Sequence, residues 1–129
     1  MNRKKVAVLA LFILLLMDSV RVLAHHGTAA FDMVGLTTIK GTVTKFDFMN
    51  PHSLIYVDVA GDKGKIENWV AEESSNNHLS RVGWEKNTLK AGDQVTITGH
   101  RAKNGAHALE LQCTECSVTD SGGKVLPPG

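Results

Sequence analysis

Short runs of apolar and β-branched residues, separated by Gly, Asn and Asp, dominate the chain from Thr37 to Val118. Within these runs apolar and polar residues alternate, so that every second side chain falls on the same face. This period is typical of half-buried β-strands, whereas an amphipathic helix repeats every 3.6 residues. The pattern predicts an all-β domain built from short strands.

The first run changes phase part-way along. Ile39 and Val43 share one face, whereas Phe46 and Phe48 fall on the opposite parity. One extra residue in a strand reverses the facing of every residue after it. We therefore predict a β-bulge or a bend at Lys45.

Four more strands follow, after turns that include Asn50-Pro51, the loop 61–64 and the hairpin signal Asn104-Gly105. They are predicted near residues 55–59, 66–72, 95–98 and 107–111. The segment from Ser74 to Gly83 is the helical candidate, with Ser74 or Ser75 as its cap and Gly83 as its end. Five strands with a short helix between the third and fourth predict a small OB-like five-stranded barrel. A small open β-sandwich is the alternative.

Residues 1–24 have the pattern of a cleavable signal peptide. A basic start at residues 3–5 precedes the apolar run Val6–Met17, and Val22-Leu23-Ala24 supplies a cleavage pattern. The run is shorter than the roughly 20 apolar residues that span a bilayer, so the mature form is expected to have no membrane span. We expect a periplasmic or secreted protein; a retained amphipathic anchor is the alternative.

Cleavage after Ala24 would leave a chain of single-domain size, with a barrel over residues 25–120 and a flexible tail over 121–129. Of the 14 Lys and Arg, 10 remain, and of the 13 Asp and Glu, 12 remain, so the mature net charge is −2. Nucleic-acid binders usually present a basic excess on one face. This balance argues against a nucleic-acid partner.

Three short motifs resemble a known family: His25-His26-Gly27 at the mature start, Gly41-Thr42-Val43, and Asn50-Pro51-His52 before a β-run. Together they are similar to the DUF6152-type family of uncharacterised secreted bacterial proteins. The resemblance covers roughly residues 25–112 and implies a periplasmic or secreted OB-like domain without an accepted activity. The cysteine pair near the end of the chain departs from the family pattern.

The predicted mature terminus provides a candidate metal site. Cleavage after Ala24 gives His25 a free amino group beside its imidazole, and the two nitrogens can chelate one ion in a way that resembles a histidine brace. His26 and His52 are the candidates to complete it, and nitrogen ligands of this kind suit copper. Pro51 restricts the backbone before His52. The alternative is that the terminal histidines are solvated and His52 caps a turn.

The other histidines are predicted to lie on the surface. His100 shares parity with Thr96 and Thr98, which places it on the solvent face of its strand. His78 falls in the short helix, and His107 falls at a strand start beside a hairpin. We do not expect these three to be metal ligands.

Cys113 and Cys116 allow three interpretations. In an extended strand their α-carbons would lie about 10 Å apart, beyond the ~7 Å limit for a disulfide, so the chain must turn for a bond to form. A structural disulfide closing such a turn is the prediction for an oxidising compartment. A redox-active pair lacks the usual βαβ context, and a thiolate metal site, with His107 as a third ligand, is the remaining alternative.

No hydrolase or phosphate-binding motif is present, and the adjacent carboxylates Glu72 and Glu73 are interpreted as solvation at a strand end. Most of the larger aromatic side chains are expected in the core rather than on a ligand platform: Phe46, Phe48, Tyr56, Trp69 and Trp84. The leading hypothesis is a non-enzymatic exported barrel that binds copper. A periplasmic module that binds an unknown protein or small ligand is the alternative, and a copper-dependent oxidoreductase is the third.

Overall fold

A computed structural model of the protein describes residues 27–129. The signal peptide predicted for residues 1–24, and His25 and His26, lie outside the described residues. The elements are β1 (Thr37–Asp47), β2 (Ser53–Ala60), β3 (Ile66–Glu73), α1 (Asn76–Arg81), β4 (Gln94–Arg101), β5 (Ala108–Glu110) and β6 (Ser117–Asp120). Between residues 27 and 129, no helix has the length and apolar character needed to cross a membrane.

The first five strands close into a barrel. β1 pairs with β2, β2 with β3, and β4 with both β5 and β1, all antiparallel, while β3 and β5 pair in parallel. The β1–β4 pairing joins the two ends of the sheet, so these five strands leave no open edge between them. The prediction of an all-β, OB-like barrel with one short helix between the third and fourth strands is confirmed.

β1 takes part in two pairings because it is long and changes phase. Its first half pairs with β4, its second half pairs with β2, and Gly41 and Thr42 have partners in both. The register with β2 shifts between Val43 and Lys45. The β-bulge predicted from the change in parity is therefore confirmed at that place.

Gly41 lies where the backbone of β2 approaches β1 most closely. A Cβ added there would clash with the carbonyl oxygen of Asp58 and would stand 2.8 Å from Cγ1 of Val57. We expect Gly41→Ala to lower the free energy of unfolding by about 1–3 kcal/mol, because the two strands must move apart. Urea denaturation measures this loss.

The matched control is Gly27→Ala, since no atom lies within 4 Å of a Cβ added at Gly27. This variant should change the free energy of unfolding by less than about 0.5 kcal/mol. Equal effects of the two substitutions would contradict the close approach at Gly41.

The helix α1 contributes to the core at one end of the barrel. Ser75 caps it, since its side-chain oxygen accepts a hydrogen bond from the backbone nitrogen of His78 at 3.2 Å. Leu79 is fully buried and joins the barrel residues in one hydrophobic cluster. Gly83 follows with a positive φ of 100°, a conformation that glycine adopts readily at helix ends. The helix lies within the predicted segment but is shorter.

The predicted fifth strand is followed by a sixth strand that the sequence did not predict. β4 pairs with β1 along one edge, so β5 and β6 share its other edge. β5 pairs with His100 and Arg101, and β6 pairs with residues 95–98. The six residues between β5 and β6 leave that edge as a loop, which we call the disulfide loop (residues 111–116). The predicted strand therefore ends one residue early, and β6 is an additional element.

The tail from Ser121 to Gly129, expected to be flexible, makes several contacts with the barrel. The backbone nitrogen of Leu126 donates to the carbonyl of Val118 at 2.8 Å. The indole nitrogen of Trp84 donates to the carbonyl of Pro127, also at 2.8 Å. These bonds place the tail beside β6 and the segment that follows α1.

Candidate functional site

His52 lies immediately before β2 and keeps its side chain 41% exposed. Its Nδ1 is 3.2 Å from Oε1 of Glu72 and 3.2 Å from the amide of Gln112. A proton on Nδ1 pairs with the carboxylate of Glu72, whereas a lone pair on Nδ1 accepts from the amide nitrogen of Gln112, so the two contacts suit opposite tautomers. In the tautomer that pairs with Glu72, the lone pair of the imidazole is on Nε2.

Three polar residues form a row across the outer face of the barrel next to His52. Glu72 on β3 is in register with Glu110 on β5, and Glu110 is in register with His100 on β4. In an antiparallel pair such as β4 and β5, residues in register hold their β-carbons about 4.5–5.5 Å apart. The row therefore brings two carboxylates and an imidazole together on one surface.

The last two members of this row are buried. Glu110 is 2% exposed; one carboxylate oxygen accepts from the backbone nitrogen of Gln112 at 3.0 Å, and the other, Oε2, has no hydrogen-bond partner among the described residues. His100 is 6% exposed, and its Nδ1 lies 2.8 Å from the carbonyl oxygen of Gly35. The expectation that His100 faces solvent is wrong.

The physical reason is that another segment of the chain covers the outer face of the sheet beside His100. The segment before β1 runs along the end of β4, where Phe31 bridges to Ala102 and the backbone nitrogen of Asp32 donates to the carbonyl of Arg101. His100 does point away from the barrel interior, as its parity with Thr96 and Thr98 predicts. Parity alone does not show whether another segment covers that face.

The disulfide loop lies on the other side of His100. Cys113 and Cys116 form a disulfide with their α-carbons 5.1 Å apart, and Cys116 is 7% exposed. Both sulfur atoms and a ring nitrogen of His100 lie within 4.8 Å of one another. The thiolate interpretation named His107 as the nearby imidazole, but the structure places His100 in that position.

His107 belongs to a different cluster, around Trp69. Its ring stacks on the indole with centroids 4.8 Å apart and an angle of 12°. The guanidinium of Arg101 lies 5.1 Å from the same ring, and the indole nitrogen donates to Glu67 at 3.0 Å. Trp69 is buried, so this cluster lies at the edge of the hydrophobic core and does not form an exposed aromatic platform.

Glu73 is a functional candidate that the sequence interpretation missed. It is 3% exposed, and its carboxylate accepts a hydrogen bond from the backbone nitrogen of Ser74 at 3.0 Å. Burial raises the pKa of Glu73 to about 7, the hydrogen bond from Ser74 opposes this, and the charge of Glu110 adds to it. Glu73 shares parity with the buried residues Trp69 and Ala71, and that signal contradicts a solvated role.

The structure describes some of the predicted metal ligands and not others. His52 has a carboxylate partner and an accessible face, while His25 and His26 lie outside the described residues. Cys113 and Cys116 lie beside His100, and not beside His107 as the thiolate alternative had it. Between residues 27 and 129, these three side chains are the group whose donor atoms come together closely enough to bind one metal ion.

Comparison with known proteins gives a family but no activity. No curated protein matches the chain. The family DUF6152, described as a family of unknown function, matches residues 13–110. The match ends with the last residue of β5, so the disulfide loop and β6 lie beyond it. Because the match covers most of the sequence, the chain belongs to the DUF6152 family.

Proposed function

We propose that this protein is an exported, non-enzymatic barrel that binds copper through the mature terminal residue His25 together with His52. His26 is the further candidate ligand. The observation that supports the proposal most strongly is the contact between Nδ1 of His52 and the carboxylate of Glu72. Histidines that bind metals usually donate their second ring nitrogen to a carboxylate or a carbonyl.

The orientation of His52 suits this role. In the tautomer that carries its proton on Nδ1, toward Glu72, the imidazole offers the lone pair of Nε2 to an ion. Imidazole and amine nitrogens are suitable ligands for Cu(II). The exposed fraction of the side chain leaves room for a second part of the chain to approach.

The proposal requires export, because the amino group of His25 becomes a ligand only after cleavage. A protein that retains residues 1–24 has an amide at this position, and an amide nitrogen is a poor ligand unless it loses its proton. The intact mass of protein recovered from the periplasm identifies the first residue. This measurement must precede the metal titration.

We expect the processed protein to bind one equivalent of Cu(II), and His25→Ala to weaken binding at least 100-fold. His52→Ala should weaken it at least 10-fold. Glu72→Gln should also weaken binding, by about 10-fold or more, because loss of a carboxylate partner typically costs 10–100-fold in affinity. Titration against a competing chelator measures all three. His78→Ala, on the exposed face of α1, is the matched control and should bind normally.

A processed protein that begins at His25 and ignores copper would overturn the proposal. So would equal affinities for His25→Ala and His78→Ala. Moving the amino group by adding one residue before His25 provides a further check, since it should abolish tight binding without removing any side chain.

The second candidate is a periplasmic module that binds a protein or small ligand. The observation that favours it is the exposed apolar segment before β1, in which Val34 is 95% exposed and Met33 and Leu36 are also exposed. Consecutive exposed apolar side chains are typical of interaction surfaces. A residue added before His25 separates the two candidates, because it should abolish copper binding and leave the binding of a partner unchanged.

A further inference from the structure

The side chains of His100, Cys113 and Cys116 form a group that the proposed function does not use. A ring nitrogen of His100 and both sulfur atoms lie within 4.8 Å of one another. His100 and Cys116 are buried, while Cys113 is partly buried. A disulfide alone does not require an imidazole beside it, so this arrangement calls for a chemical explanation.

The hydrogen bond of His100 determines which ring nitrogen keeps its lone pair. A backbone carbonyl accepts only, so the 2.8 Å contact with Gly35 means that Nδ1 carries the proton. The lone pair of the neutral ring is then on Nε2. Backbone carbonyls orient metal-binding histidines in this way, by accepting the hydrogen bond of the other ring nitrogen.

We propose that reduction of the Cys113–Cys116 disulfide creates a site for a soft cation, Cu(I), bound by two thiolates and His100. The site is separate from the His25 and His52 site and does not rest on it. Thiolates select soft cations such as Cu(I), and imidazole is compatible with copper.

The reaction balances with a dithiol as the reductant. Thiol–disulfide exchange breaks the bond between the two cysteine sulfurs, transfers two electrons to them, and leaves two thiols on the protein and a disulfide on the reductant. The ion then displaces one proton from each thiol. Without a dithiol or an equivalent two-electron reductant, the sulfurs remain joined and the site does not form.

The geometry requires the cysteine side chains to move, because two sulfurs bound to one ion stand farther apart than the two sulfurs of a disulfide. Metal–sulfur distances are about 2.3 Å and metal–imidazole distances about 2.0 Å, so a sulfur and a nitrogen on one ion lie at most ~4.3 Å apart. The present separations of up to 4.8 Å are close to this limit. Breaking the disulfide frees both cysteine side chains to rotate within the loop.

The composition of the group favours Cu(I) over zinc. Structural zinc sites normally have four protein ligands. Within residues 27–129, no fourth His, Cys, Asp or Glu joins this group. Glu110 is in register with His100, and its unpartnered buried oxygen would be attracted to a cation bound nearby.

The experiment uses processed protein carrying His25→Ala, so that copper at the mature terminus does not contribute. One sample keeps the disulfide, and the other is reduced with a phosphine and desalted without oxygen. Both are titrated with Cu(I) against a competing chelator, and thiolate-to-copper absorption in the near ultraviolet is recorded. We expect the reduced sample to bind one equivalent at least 100-fold more tightly than the oxidised sample.

His100→Gln tests the third ligand, since an amide can still donate to the carbonyl of Gly35 but lacks the imidazole. It should weaken Cu(I) binding by the reduced protein at least 10-fold, while the matched control His107→Gln should bind normally. Circular dichroism of each reduced sample verifies that the barrel is folded.

Equal Cu(I) affinities for the reduced and oxidised samples would overturn the proposal. Equal affinities for the reduced parent and reduced His100→Gln would also overturn it, because the imidazole would then not be a ligand. A reduced sample that unfolds would overturn it as well, since the site requires β4 and the disulfide loop to stay together.

Discussion

Replacing Trp84 by alanine is expected to lower the free energy of unfolding by about 3–5 kcal/mol. Trp84 is 2% exposed, and its ring lies 5.8 Å from that of Phe46, centroid to centroid. Its indole nitrogen also donates to the carbonyl of Pro127. The substitution leaves a cavity between the barrel and the segment after α1 and removes the bond that holds the tail. Urea denaturation, followed by circular dichroism, measures the loss.

Two variants make this result specific to the buried ring. Trp84→Phe keeps most of the apolar volume but loses the hydrogen bond, so its loss should be smaller than that of Trp84→Ala. Ile66→Ala removes an apolar side chain that is 61% exposed and should cost less than about 0.5 kcal/mol. A loss below 1 kcal/mol for Trp84→Ala would contradict the packing described for this residue.

The second large effect is a dependence of stability on pH that arises from Glu73. Its pKa is raised from 4.5 to about 7 in the folded protein, chiefly by burial. Between these values the folded state holds a proton that the unfolded state has lost, so stability falls as the pH rises. The contribution is fully present below pH 4.5 and is lost above pH 7. The shift corresponds to about 3 kcal/mol.

Glu73→Gln replaces the carboxyl group by a neutral amide of the same shape. Its unfolding free energy should exceed that of the parent at pH 8 and should approach it at pH 4.5. Glu115→Gln, at an exposed position in the disulfide loop, is the control and should follow the parent curve. Parallel pH profiles for the parent and Glu73→Gln would show that Glu73 does not titrate in this range.

Features set by neighbouring residues in the sequence could be predicted. The bulge in β1 followed from a change of parity at Lys45, and the helix after β3 followed from a serine cap and a glycine end. Both depend on local backbone geometry, which a few consecutive residues determine. The element order then specified the OB-like barrel.

Features that depend on distant segments could not be predicted. His100 has the parity of an exposed residue, but the chain before β1 and the disulfide loop cover it. β6 is four residues long and lies on β4 only because the loop returns the chain to the same edge. No local pattern in the sequence predicts that residues 117–120 form a strand. Nor does one predict that the carbonyl of Gly35 is the hydrogen-bond partner of His100.

In the candidate sites, too, local features could be predicted and contacts between distant segments could not. The turn Asn50-Pro51 and the start of β2 located His52 on the barrel, whereas its carboxylate partner Glu72 follows from the register of β2 and β3. The cysteine pair was recognised as closing a turn. The thiolate alternative named His107 as its neighbour, because His107 shares strand parity with Cys113. Parity along one strand cannot identify a residue across the sheet, such as His100.

The double pairing of β1 has a consequence for how the chain folds. Its contacts with β2 and β3 are local, and this meander forms from a continuous stretch of sequence. Closing the barrel instead joins Thr37 to Gly99, which lie 62 residues apart in the sequence. Such distant contacts slow folding, since loop-closure entropy must be overcome before the contacts stabilise the fold. During synthesis, which proceeds from the amino end, β1 must keep an unpaired edge until β4 has emerged.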